Sequence, residues 1–310
     1  MPPYRFCARR RCVPAVADCY AISLPRPVAA RTVAASLSEQ PAGASRRVDA
    51  GRLAFLLTLV ALPLHFGALV ARGLAAEPNR VPWSNMYEFT LSGTFVVTAL
   101  YCAMYRRYKL AWMGPFVTAF VLACLMVAVI WLYAPVVPLS DALSSYWLVI
   151  HVVSAILATG AFTLGGIASL AYLLKARRPA EDQGLAARFP SLEALDRTSY
   201  RIHAFAFPVW TFAVLITGPI WAYEAWSSYW NWDPKEVWAF ITWVVYAAYL
   251  HARSTAGWKG KRAAWLALLG LATLWFNFIG INYFSTSSQH SYADGPVQPG
   301  PAQPTALART

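Results

Sequence analysis

Ala111-Trp-Met-Gly-Pro-Phe-Val-Thr-Ala-Phe-Val-Leu-Ala-Cys-Leu-Met-Val-Ala-Val-Ile-Trp-Leu-Tyr133 contains no charged side chain. About 20 mostly apolar residues suffice to carry a helix across the hydrocarbon core of a bilayer. Six further stretches read the same way: Leu53–Val70, Phe89–Tyr105, Trp147–Leu174, Ile202–Tyr223, Val237–Leu250 and Ala263–Phe284. The Val237–Leu250 run is the shortest and has to extend from Pro234 to Arg253 to cross. Composition agrees: the 310 residues are 58% hydrophobic and 13% charged, against about a quarter charged in soluble domains. The pattern predicts an all-α, polytopic transmembrane bundle of about seven spans.

A net charge of +12 raises the question of nucleic acid, which the distribution of the charge answers. Twenty-two of the 26 lysines and arginines fall in 1–52, 106–109, 175–201 and 253–262, and only Arg72, Arg80, Lys235 and Arg309 fall on the other side of the apolar runs. Alternation of this kind is a topology signal rather than a basic patch, because cytoplasmic loops of membrane proteins retain Lys and Arg. It predicts a cytoplasmic N-terminus, an external C-terminus, outward-facing loops at 84–88, 134–146 and 224–236, and no nucleic-acid partner. Residues 1–48 form an Arg-, Ala- and Pro-rich arm without the apolar core of a secretory signal. A membrane domain over 49–293 and a Gly/Pro-rich tail over 294–310, expected to be disordered, complete the organisation. Cys7, Cys12, Cys19, Cys102 and Cys124 make no C-x-x-C pair, so neither a disulfide framework nor a covalent haem-attachment motif is expected.

The chemistry concentrates in Trp221-Ala-Tyr-Glu-Ala-Trp226-Ser-Ser-Tyr229-Trp230-Asn-Trp232-Asp233-Pro234-Lys235-Glu236-Val-Trp238. Six of the 14 tryptophans lie between Trp221 and Trp243. An interfacial aromatic belt scatters Trp and Tyr over many helix ends, whereas these crowd one connection. Indole faces are flat and apolar with a polar N–H edge, so Trp226, Trp230 and Trp232 suit a planar aromatic ligand with charged edges, such as haem. Lys235, or free amides at a helix start, suit its propionates. Asp233, Pro234 and Glu236 stand at N-cap, N1 and N3 of a capping box opening the sixth span, which makes Asp233 more architectural than catalytic.

Imidazole is the usual axial ligand of haem iron, and the chain has five histidines. His151 lies about one turn inside the outer end of the fourth span, and His290 six residues beyond Phe284. Both can reach the level of the aromatic loop, with a solvated tail histidine as the plain alternative for His290. His251, at the far end of the sixth span, belongs to a separate inner site or snorkels at the interface. His65, mid-membrane, should face the protein interior, near His251. His203, beside Arg201, reads as a surface residue.

Trp226-Ser-Ser-Tyr-Trp230-Asn-Trp232-Asp-Pro-Lys-Glu-Val-Trp238, followed by Tyr249-Leu-His-Ala-Arg253, resembles the tryptophan-rich WWD signature of the CcsA/ResC-type System II cytochrome c biogenesis proteins. Pro82-Trp-Ser-Asn-Met-Tyr-Glu-Phe89, Tyr146-Trp-Leu-Val-Ile-His151-Val and His290-Ser-Tyr-Ala293 resemble three further segments of that family. Together they cover about residues 50–293. The resemblance implies haem export and covalent attachment of haem to apocytochrome c at the outer face of a bacterial cytoplasmic membrane. The chain would act as a subunit of a cytochrome c synthase with a ResB/CcsB-type membrane subunit and thiol-reducing redox proteins. It implies haem b (iron protoporphyrin IX) as bound substrate, His151 and His290 as outer axial ligands, and His251 as an inner ligand whose partner histidine comes from the ResB-type subunit. The sequence departs from the family at Ser227, where Gly is usual, and at Ser288-Gln289, where Gly-Leu is usual. A haem transporter without ligation activity, or a transporter of another aromatic substrate, are the competing readings.

Overall fold

In the computed structural model the described residues are 50–136, 145–178, 184, 188–285 and 288–290. The 1–48 arm and the 294–310 tail lie outside them. Every regular element among them is helical: α1 Ala50–Leu74, α2 Met86–Tyr105, α3 Gly114–Trp131, α4 Tyr146–Ala176, α5 Leu192–Thr211, α6 Gly218–Trp226, α7 Pro234–Ser254, α8 Lys261–Trp275 and α9 Ile281–Phe284. A short 3₁₀ turn precedes α3, and π turns at Phe212–Thr217 and Phe276–Gly280 join α5 to α6 and α8 to α9.

Five helical stretches are long and apolar enough to cross a membrane: Ala50–Leu74, Leu110–Trp131, Tyr146–Ala176, Leu192–Trp226 and Lys261–Phe284. The chain is an integral membrane protein. α2 and α7 have 20 and 21 residues but fall short in apolarity: α7 carries charged groups at both ends and an imidazole at one, and α2 turns hydroxyls to the interior. In α2, Ser92, Thr94 and Thr98 are buried, and the Thr94 and Thr98 hydroxyls donate to carbonyls one turn back. This satisfies them without water.

α4 is the axis of the bundle. Its buried face carries Ala158, Gly160, Ala161, Gly165, Gly166 and Ala168, small residues that let neighbouring backbones approach, as they do between helices in lipid. A Cβ on Gly166 would meet Leu271 Cδ2 of α8 at 2.5 Å, and one on Gly160 would meet Leu100 Cδ1 of α2 at 3.2 Å. Large apolar residues face outward instead: Leu57, Val60 and Leu64 on α1, and Leu122, Val129 and Ile130 on α3. This inversion of soluble packing is stable where the solvent is hydrocarbon.

A buried ion triad closes one end of the bundle. Glu88, 0% exposed, receives Arg72 Nε at 2.9 Å and Arg80 Nη1 at 2.7 Å. Arg72 also donates to the Ala134 carbonyl at 2.6 Å, so α1, α2 and the segment after α3 are locked together. An unpaired buried charge would cost several kcal/mol, so loss of either partner is far more damaging than the net worth of the pair.

Candidate functional site

A cavity of about 570 Å³ opens between α2, α3, α4, α6, the start of α7, and the end of α8 with the second π turn, within the usual range for small-molecule pockets. His151, Trp221, Trp230, Lys235 and His290 line it, together with Gly160, Thr163 and Leu274. Its walls are otherwise largely apolar.

His151 is fixed from two sides. Its Nδ1 lies 2.9 Å from the Ala213 carbonyl in the first π turn. Its ring lies nearly parallel to the buried Trp221, at 5.8 Å and 12°. Trp221 also meets Trp226 at 4.9 Å and His290 at 5.5 Å. Trp226 contacts His290 edge-on at 4.7 Å, so the two imidazoles share one aromatic wall.

Asp233 holds His290 in place. The carboxylate accepts from Ser288 Oγ at 2.9 Å and from the Gln289 N–H at 2.6 Å. His290 Nδ1 lies 3.2 Å from Oδ1, at ion-pair distance but without the alignment of a good hydrogen bond. Asp233 simultaneously caps α7 in a capping box with Glu236, accepting from the Lys235 N–H at 2.9 Å. Burial pushes its carboxyl up, but the His290 imidazole and the Lys235 and Gln289 N–H groups outweigh this and hold it down at about 2. It is therefore an anion at any physiological pH.

The residues singled out in the sequence thus occupy different stations. His151, His290, Trp230 and Lys235 converge on the cavity. Trp226 backs His290 without lining the cavity, and Trp232 is 77% exposed, touching Trp230 edge-on at 5.9 Å. His251 is exposed near the C-terminal end of α7, at the opposite end of that helix from Asp233.

Two expectations need correction. His203 is not a surface residue: it is 0% exposed, packed against Phe162, Tyr246 and Tyr249, with Nδ1 on the Ser199 carbonyl at 2.7 Å. Arg201, two residues earlier, points to water, but positions two apart on a helix face different sides, and Arg201 is exposed where His203 is buried. His65 sits on Phe95 of α2, and the main neighbours of α1 are α2 and α3, whereas α7 packs chiefly on α8 and α5. The order of helices around the bundle therefore does not bring His65 to His251.

Sequence reasoning missed the Ala213 carbonyl, the Asp233 clamp and Asn277. Asn277 lines the cavity from the second π turn, and its Oδ1 is buried without a hydrogen-bond partner. Only Asp233 carried a signal, in its place between the tryptophans and the helix. Ser227 adopts φ 57° in the left-handed region, a conformation that suits glycine at the end of a helix.

Chemically, two imidazoles do not complete the shell of a bare ion, and among the described residues no three His, Cys, Asp or Glu side chains converge. A planar ligand bringing four donors of its own needs only two. The cytochrome C assembly protein family model matches residues 83–288, which take in the loop and the cavity lining other than His290. Among curated proteins, cytochrome c biogenesis protein CcsA of Guillardia theta is 36% identical over 70% of this chain and 78% of its own length. CcsA of Synechococcus sp. (strain JA-3-3Ab) is 35% identical over 78% of this chain and 84% of its own, and CcsA of Prochlorococcus marinus is 32% identical over 78% and 92%.

Proposed function

The chain belongs to the cytochrome c assembly protein family, as a CcsA-type member, and from that premise we propose that it binds haem between His151 and His290 for covalent attachment to apocytochrome c. Its role lies in cytochrome c maturation. The observation that carries the haem reading is the convergence of two imidazoles, one aromatic wall and Lys235 on a single apolar cavity.

In this reading haem b is the substrate, and His151 and His290 would hold its iron. Trp221 and Trp226 exclude water beside the ligands, where burial strengthens polar contacts. Lys235 meets a propionate, and Trp230 covers apolar macrocycle. Thiol addition to the vinyl groups is the porphyrin's own chemistry, and this chain supplies orientation. In the same reading α2 and α7 complete the five stretches to seven spans, and the distribution of Lys and Arg supports a loop on the outside of the bacterial cytoplasmic membrane. The exposed His251 is free to share an inner haem with a ResB/CcsB-type subunit. Thiol-reducing proteins would keep the apocytochrome cysteines ready.

The protein co-expressed with that subunit and purified should carry a Soret band typical of two nitrogen ligands, and should yield thioether-linked product when given haem and apocytochrome. A colourless preparation from haem-replete cells would overturn haem binding. Haem without product would leave a transporter.

A further inference from the structure

The geometry points to Thr217 and Gly218, in and just after the first π turn, as positioning residues that decide which nitrogen of His151 is available to bind a ligand. This inference rests on the reading of His151 as a haem ligand.

A backbone carbonyl only accepts hydrogen bonds. With Nδ1 2.9 Å from the Ala213 oxygen, that nitrogen must carry the proton, and Nε2 keeps the lone pair an iron needs. A carbonyl inside an α-helix is ordinarily directed along the axis towards the N–H four residues on. Here the turn is one residue wider, and the Ala213 oxygen takes the Gly218 N–H instead. The Thr217 hydroxyl lies 3.1 Å from the same oxygen and 3.2 Å from the Phe212 oxygen, and so tethers the widened turn.

Gly218 provides the approach. A Cβ there would stand 3.0 Å from the Ala213 oxygen and 3.2 and 3.3 Å from His151 Cε1 and Nδ1, closer than side chains normally tolerate. The bare glycine leaves the ring room to reach the carbonyl, and a side chain there would push ring or carbonyl away by a few tenths of an ångström, while Trp221, three residues further on, stacks against the ring. π turns inside longer helices often mark functional sites, and outer-shell partners of a metal-bound imidazole fix its tautomer and raise its basicity. The π turn is therefore a mount for His151 rather than a flaw in the packing of the fifth span.

The test uses the haem-loaded complex with its partner subunit, reading the absorption spectrum and midpoint potential of the haem that is bound. Gly218→Ala should shift the spectrum towards that of His151→Ala and raise the potential, since a less basic imidazole favours ferrous iron, and added imidazole should restore both. Thr217→Val should move them the same way by less, and Thr217→Ser not at all. A wild-type spectrum and potential in Gly218→Ala, with His151→Ala altered, would overturn the positioning role and leave the ligand role standing. An unaltered His151→Ala would overturn both. Should Gly218→Ala fail to accumulate, the Thr217 pair decides, and identical potentials for Thr217→Val and wild type would sink the proposal.

Discussion

His151 and His290 reach one cavity on opposite kinds of support. His151 projects from the interior of a 31-residue helix, against a neutral carbonyl and a parallel indole. His290 lies beyond the last helix, its side chain 12% exposed, on a turn fastened to the Asp233 carboxylate. One mount is rigid because neighbouring spans enclose it. The other is held by one carboxylate and the indoles of Trp221 and Trp226. Asp233 also caps α7, so the aromatic loop, the helix start and His290 are tied to a single group. Damage to that group should spread, whereas damage around His151 should stay local.

The largest expected effect tests whether both mounts carry ligands. His151→Ala and His290→Ala should each reduce holocytochrome formation to background, measured by haem staining of c-type cytochromes, and each should weaken the bound-haem absorption. Full maturation in either variant would leave the comparison with only one ligand. Asp233→Ala comes next. Outer-shell losses typically cost about 10- to 100-fold in metal affinity, and removal of a helix N-cap costs about 1 kcal/mol. Haem retention should fall by about that factor, and Asp233→Asn, which keeps a capping oxygen but loses the charge, should fall less. Equal retention in Asp233→Asn and wild type would show that the charge is unimportant to the His290 mount. The smallest effect is Ser227→Gly. Relief of the left-handed conformation should stabilise the protein by about 1 kcal/mol, read as a raised Tm, with the haem spectrum unmoved. A spectral change would mean that the turn after α6 reaches the site more directly than its contacts indicate.

Legibility in the sequence followed the range of the interactions concerned. The helical character of Ala111–Tyr133 and the other apolar runs was readable because bilayer crossing depends on composition within one segment. The capping box at Asp233 was readable because its partners are three residues apart. The three tryptophans of the loop looked equivalent in sequence, yet Trp226 packs on His290, Trp230 lines the cavity and Trp232 is largely exposed. Left-handed backbone at Trp232, φ 56°, separates it from its neighbours, and nothing in the order of residues announced that. The burial of His203 was hidden for a related reason: Arg201 is only two residues away in sequence, but the side chains that enclose His203 come from α4 and α7.

The residues alone determined that this chain is a helical membrane protein with its aromatic chemistry gathered before one capped helix, since hydrophobic period, charge spacing and capping are local. Only the tertiary structure decided that His151 answers to Ala213, 62 positions away, and Gln289 to Asp233, 56 positions away. Such pairings depend on how helices order themselves around α4, and that order is fixed by small-residue contacts and a widened turn whose partners lie on other spans.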